Sequence, residues 1–445
     1  MNETISTTRE NVSALIPMSK KDWGLLALSL IPAGLFAFGD MVPNDAWLRI
    51  YTSLFHLSVL LLACYASGKR KPNRTSAFLF LSSAALIGLG FIHHDLFLCC
   101  TNCFIIPMLT ALAMMHACSI SRRSPLSAAG VWEVVVRSLR GLFDSIPLPF
   151  AKLFTRSEDH TENLALTLFS LCVCIPILML VLILLSSADA VFGNQFGNLV
   201  RAVEYILSSP SAFRIPLMLV SALMIFSWMF TLRKPAWEMA NAEPITIPPI
   251  FCGMLLPMLN IIYVLFVYIQ FSNLFGGAET AAMTGGYAEY ARTGFFQLAA
   301  VSTINLGILA VSLRNKRNRW IVTMSLLLIV STAVILVSAL WRMRLYIGEY
   351  GLSVLRVMTL WGMLTIAILL VISTISIFVN NFPTFSVSFI CIIVLWVGLN
   401  CIDIDRIIAE HNVFHYLSGE LQEIDWEYLQ SLSPSAQSVL DQLEQ

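Results

Sequence analysis

The densest chemistry in this chain stands in Trp341-Arg-Met-Arg-Leu-Tyr-Ile-Gly-Glu-Tyr-Gly-Leu-Ser-Val-Leu-Arg356, which holds Arg342, Arg344, Arg356, Glu349, Tyr346 and Tyr350 within sixteen residues. Guanidinium groups recognise carboxylates and phosphates in a planar fork, and tyrosine faces attract cations. Carboxylates able to answer these arginines occur elsewhere. Asp189 lies in Ser186-Ser-Ala-Asp-Ala-Val-Phe192. Glu289 precedes Arg292 by three residues in Tyr287-Ala-Glu-Tyr-Ala-Arg292, a spacing that pairs charges on one helix face. Asp403 and Asp405 open the segment Asp403-Ile-Asp-Arg-Ile-Ile-Ala-Glu-His-Asn-Val-Phe-His415.

Each motif also has a plainer reading. Asp189 can simply cap a helix, Glu289 and Arg292 can be a local ion pair in an aromatic belt, and the arginines can snorkel from a solvated loop. His411 and His415 are four residues apart beside Glu410, a spacing that suits zinc, but the metalloprotease pattern His-Glu-x-x-His is missing. His93 and His94 precede Cys99, Cys100 and Cys103, which sit in an apolar run where cysteine serves as a small hydrophobe. No metal or other cofactor is expected, and no phosphate-binding glycine loop or nucleophile elbow occurs.

The elements that carry these residues are membrane spans. The 445 residues are 57% hydrophobic and 12% charged, with mean hydropathy +0.77. Soluble domains carry about 25% charged residues, so this chain takes lipid as its solvent. The formal net charge of zero gives no reason to expect a nucleic-acid partner. Eleven apolar runs approach the roughly 20 residues a helical span needs: 23–39, 47–66, 76–92, 96–117, 164–187, 213–232, 248–272, 295–313, 320–341, 354–378 and 383–400. The first is interrupted by Pro32-Ala-Gly34. The polar residues ahead of it and the absence of a cleavage motif after it make it a span rather than a removed signal.

Lysine and arginine in the connecting segments test this layout, because positive charge collects on the cytoplasmic side. From the N-terminus the counts run 3, 0, 4, 0, 6, 1, 2, 1 and 4 through residue 319. The alternation places the N-terminus in the cytoplasm and the C-terminus outside. Segment 342–353 breaks it, with Arg342 and Arg344 on the expected outer side, so protein groups are expected to hold them. Both arginines read as the last turn of a helix. Arg356, with Ser353 as N-cap, falls in the first turn of the next helix, where the dipole disfavours a cation. It should therefore meet a carboxylate, with Glu349, Asp189 and Glu289 as candidates.

The expected organisation is a cytoplasmic tail (1–22), four spans (23–117), a cytoplasmic linker (118–163), a seven-span core (164–400) and an acidic helical appendage (401–445). In the linker, Glu133, Arg137, Arg140 and Asp144 recur on one helix face, and Trp132, Val135, Leu139, Leu142 and Phe143 lie on the other. This amphipathic helix reads as a surface-lying connector, or as a docking site for a cytoplasmic protein. In the appendage, Asp403–Tyr416, Asp425–Leu432 and Pro434–Leu443 read as helices.

Four stretches taken together resemble a bacterial polytopic membrane family known as domain of unknown function 4153/4173. They are Ser-Ala-Asp-Ala-Val-Phe192, Tyr287-Ala-Glu-Tyr-Ala-Arg-Thr-Gly-Phe-Phe-Gln-Leu298, the arginine-rich stretch ending at Arg356, and Ile404-Asp-Arg-Ile-Ile-Ala-Glu-His-Asn-Val413. The likeness covers roughly residues 160–445; earlier residues match in hydropathy alone. Ser353, Ala190 and His411 depart from the pattern, which has Thr, Pro and Tyr there. The resemblance implies a protein of the bacterial cytoplasmic membrane and implies no activity.

The whole reading is an all-α polytopic bundle of about eleven spans. Asp189, Glu289, Arg292, Arg342, Arg344, Tyr346, Glu349, Tyr350, Arg356 and Asp403 form an outward-facing charged cluster beneath the C-terminal helices. Such a cluster suits transport or binding of a small molecule or lipid, with the bilayer as the other partner. A sensor acting on a cytoplasmic signalling protein, or an enzyme acting on a lipid-linked substrate through paired carboxylates, are the alternatives. An enzyme is the less expected.

Overall fold

The computed structural model describes residues 18–39, 45–68, 73–92, 96–118, 126–150, 210–233, 249–275, 295–315, 318–421 and 423–441. These are mostly helical, with no strand among the described residues. In chain order the helices are α1 (Lys20–Phe38), α2 (Asp45–Ser67), α3 (Arg74–Gly90), α4 (Leu96–Ala117), α5 (Ala128–Asp144), α6 (Pro210–Arg233), α7 (Pro249–Phe275), α8 (Phe295–Ser312), α9 (Arg319–Tyr350), α10 (Val354–Phe378), α11 (Thr384–Asn400), α12 (Ile404–Leu417), α13 (Trp426–Gln430) and α14 (Pro434–Asp441).

Among the described residues, seven helices are long and apolar enough to cross a membrane, or eight if α11 and α12, bent by 63° at their junction, form one broken span. The helices α3 and α8 are apolar and shorter. Ten of the eleven expected runs thus coincide with helices. The run 164–187 lies outside the described residues. The protein is an all-α, multi-pass membrane protein. Pro32 does not interrupt α1, which is continuous from Lys20 to Phe38. Span helices tolerate proline because neighbouring groups satisfy the freed carbonyl.

The chain divides into two compact units. The first comprises Met1–Phe91, Asn102–Pro125 and Gly130–Ala236. Here α1 packs along α6, with Ser29, Ala33 and Ala37 buried and the Ser29 hydroxyl donating to the Ala222 carbonyl at 3.0 Å. Small residues allow this approach in lipid, where helices gain nothing from burying leucine against leucine. The helix α6 falls in this first unit. Arg233 at its end pairs with Asp22, which also closes a capping box with Ser19. The Arg233 guanidinium lies 4.8 Å from the centre of the Phe230 ring. A half-buried charge is tolerated at this depth because its counter-charge and a ring face are in place.

The second unit comprises Ile92–Thr101, Leu126–Ala129 and Trp237–Gln445. Its core joins α7, α8, α9 and α10 through residues such as Leu256, Leu309, Leu328, Ile335, Ala339, Met343 and Met363. On α7, Cys252, Leu256 and Asn260 form a buried stripe at four-residue spacing, and most of the remaining surface is apolar and exposed. A polar chain crosses the core. The Tyr263 hydroxyl donates to Asn305 Oδ1 at 2.8 Å, Asn305 Nδ2 donates to the Thr332 hydroxyl at 2.9 Å, and Thr332 donates to the Leu328 carbonyl at 2.6 Å. Asn260 Nδ2 donates to the Met324 carbonyl at 2.9 Å. Asn305 and Thr332 are fully buried. Lipid offers these groups no alternative partner, so their bonds set the register of three helices.

Asn305→Ala leaves the Tyr263 and Thr332 hydroxyls without their shared partner. It is expected to lower the unfolding free energy by about 1–2 kcal/mol, measured by reversible unfolding in mixed micelles. Unchanged stability would remove this chain from the forces that hold α7, α8 and α9 together.

Candidate functional site

The connecting segment expected from Arg342 to Ser353 is mostly helix. The helix α9 continues unbroken to Tyr350, 32 residues in all. At 1.5 Å per residue it is ~48 Å long, against a hydrocarbon layer about 30 Å thick. Its last turns extend past the layer if its first turn lies at the opposite boundary. Arg342 and Arg344 are therefore not in a final turn but two turns before the end. They stand on a continuing helix, with Arg344 at 5.9 Å from the exposed Trp341 ring.

A joint of three residues, Gly351–Ser353, separates α9 from α10. It presents a problem that membrane proteins must solve. The end of one helix leaves carbonyls unpaired, and the start of the next leaves N–H groups unpaired. Each side is answered by a side chain from further along the sequence. Leu352, buried, is bracketed by the Asn412 amide: its N–H donates to Oδ1 at 2.6 Å, and Nδ2 donates to its carbonyl at 2.9 Å. The Val354 N–H donates to the Tyr428 hydroxyl at 3.0 Å. Ser353 does occupy the N-cap position, but its hydroxyl makes no capping bond. The Tyr428 hydroxyl satisfies the first N–H of α10 instead.

Gly351 has φ +72°, the left-handed region that glycine enters without strain. A β-carbon here would sit 2.6 Å from Asn412 Oδ1. Conformation and space both demand glycine.

Arg356 closes the carbonyl side. Its Nη1 donates to the Tyr350 carbonyl at 2.8 Å and to the Gly351 carbonyl. The guanidinium lies 4.3 Å from the Tyr346 ring centre and 5.9 Å from that of Tyr350, and the two rings are 5.0 Å apart. Among the described residues it meets no carboxylate. The exposed Glu349 makes no ion pair among them, and Asp189, Glu289 and Arg292 lie outside the described residues. The adjacent C-terminus of α9 also favours a cation here, because its partial negative charge attracts one.

Asp403 is likewise placed by capping rather than by the arginines. It accepts from the Arg406 N–H at 3.2 Å and from the Ser435 hydroxyl at 3.0 Å, and Asp405 accepts from the Ser433 N–H at 3.1 Å. These bonds staple α14 onto the start of α12. On α12, Arg406 pairs with Glu410 at 2.7 Å. The His411 and His415 rings are 4.2 Å apart, and His415 Nδ1 faces Glu420 Oε2 at 2.5 Å. No group of three or more metal-ligating side chains occurs among the described residues. His93 and His94 lie outside them.

The structure thus brings Tyr346, Tyr350 and Arg356 together, with Arg342 one turn before Tyr346 on the same stripe of α9. Asp403 belongs to the helices that cover the joint. Asn412 and Tyr428 were not anticipated. The sign available for Asn412 was an amide, a poor helix former, between apolar Ala409 and Val413 on the buried face of a helix.

The profile of a family described as domain of unknown function (DUF4153) matches residues 81–443, which extends the likeness well ahead of residue 160. No curated protein and no solved structure matches the chain.

Gly351→Ala and Asn412→Ala are each expected to cost about 1–3 kcal/mol. Their double variant should cost clearly less than the sum, because removing the amide makes room for the β-carbon. Strict additivity in an unfolding cycle would show that the two positions do not touch.

Proposed function

We propose that this chain, which belongs to the DUF4153 family, binds a small molecule or a lipid headgroup where α9 meets α10, as a transporter or a ligand-binding protein of the cell envelope. The observation that carries the reading is the joint Gly351–Ser353, a break between two spans held by side chains about 60 and 74 residues further along. Two helices that needed only to be connected could be joined by a self-sufficient turn. A joint latched by Asn412 and Tyr428 can open when the covering helices α12–α14 move, and it then uncovers the face formed by Arg342, Tyr346, Tyr350 and Arg356. Guanidinium groups beside tyrosine rings suit an anionic or strongly polar group attached to an apolar body.

The alternating charge of the connecting segments supports a cytoplasmic N-terminus and an extracytoplasmic joint, and the family resemblance supports residence in the bacterial cytoplasmic membrane. A reporter fused after Gln445 is expected to be active outside the cytoplasm; activity inside would overturn that orientation.

Native mass spectrometry of the purified chain tests the binding reading. The wild type should retain a bound small molecule or a specific lipid, and Arg356→Gln and Asn412→Ala should lose most of it while keeping the wild-type elution profile. A wild type that carries nothing beyond what its folded variants carry would sink the proposal.

A further inference from the structure

The amphipathic helix α5 turns its faces in a way that its sequence left open. Gly130, Val134, Gly141 and the adjoining Ser145 are buried. The contact runs along α6. The Ser227 hydroxyl donates to the Gly141 carbonyl at 2.6 Å, the Ser145 N–H donates to Ser227 Oγ at 2.8 Å, and the Ser145 and Thr231 hydroxyls lie 3.0 Å apart. A β-carbon on Gly141 would stand 3.2 Å from Thr231 Cβ and 3.6 Å from Trp228 Cα, so the two helices touch nearly backbone to backbone. Directly opposite this contact, at 160–200° around the helix by 100° per residue, stand Trp132, Leu139 and Phe143. They are 67%, 63% and 60% exposed. Glu133, Arg137, Arg140 and Asp144 form a separate strip along one flank. Within it Glu133 and Arg137 pair at 3.6 Å with side chains only 12% and 11% exposed.

The level of this helix follows from its partner. The span α6 ends at Arg233, and Ser227 lies six residues earlier, ~9 Å along the axis. The seam between α5 and α6 therefore sits at and just within the boundary of a span, not out in water. At that level what lies outside the protein is the zone where headgroups meet acyl chains. An apolar stripe with a tryptophan, flanked by a strip of charge, is the pattern of a helix lying in that zone.

We propose that Trp132, Leu139 and Phe143 form a docking surface for the bilayer itself, with α5 half sunk beside α6 and its charged strip at headgroup level. The partner of this segment is lipid, and the surface is not a seat for a cytoplasmic protein. The inference is independent of the reading of the α9–α10 joint.

The test uses the full chain in vesicles of phosphatidylcholine and phosphatidylglycerol. A genetically encoded spin-labelled amino acid is placed in turn at Trp132, Leu139, Phe143 and, as the flank reference, Asp144. All four side chains are exposed, so the label requires no repacking; Val136, on the same stripe, replaces any position that fails to yield protein. Collision rates with oxygen, which concentrates in lipid, and with a nickel chelate, which stays in water, are compared. The oxygen-to-nickel ratio should be several-fold higher at the three stripe positions than at Asp144. A ratio equal to that at Asp144 would place the stripe in water and overturn the proposal. Suppressed collisions with both reagents would mean that protein covers it, and would overturn the proposal equally.

Discussion

Asn412 and Leu352 exchange two hydrogen bonds across sixty residues of sequence, and the architecture of the second unit depends on that exchange. A peptide group buried away from water must be paired. A chain that leaves one helix and enters another after three residues, under the cover of further helices, must therefore find donors and acceptors there. The Asn412 amide supplies one of each in a single planar group, the geometry needed to pair with both the N–H and the C=O of one residue. Gly351 follows from it twice over, through its left-handed backbone and through the space that the amide occupies. The seat of α12 follows as well, because Asn412 projects from its buried face beside Ile408, Ala409 and Val413.

The same constraint explains the arginine. Arg356 stands where two helix termini meet, the positive end of α10 and the negative end of α9. Read against its own helix alone, it is misplaced. Read against both, it lies where the carbonyls of Tyr350 and Gly351 need a donor and where two tyrosine faces need a cation. The charge is held by those carbonyls and ring faces, with no carboxylate beside it among the described residues.

Polar groups inside the units obey the same rule on a smaller scale. Tyr263, Asn305 and Thr332 satisfy one another, and Asp22 meets Arg233 beside a phenyl ring. Each ties together helices that hydrophobicity alone would leave free to slide, since leucine gains little by exchanging lipid for leucine. Specific register in lipid comes from such bonds and from small residues such as Ser29, Ala33 and Gly141.

Runs of apolar residues and counts of charge are what can be read along the chain. Hydropathy located ten apolar helices because each is a continuous local signal about 20 residues long. The amphipathic period of α5 and the helical appendage were legible for the same reason. The end of α9 was not, because Arg342 and Arg344 stop an apolar run without stopping a helix: hydropathy reports where lipid ends, and backbone hydrogen bonds report where the helix ends. The partners of Ser353, Arg356 and Asp403 were also beyond it. A cap from Tyr428, an amide from Asn412 or a hydroxyl from Ser435 comes from a distant segment, and nothing local in the sequence marks the pair. Only the tertiary structure decided these contacts, because a hydrogen bond depends on which groups are brought within 3 Å of each other, and the folding of the whole unit determines that.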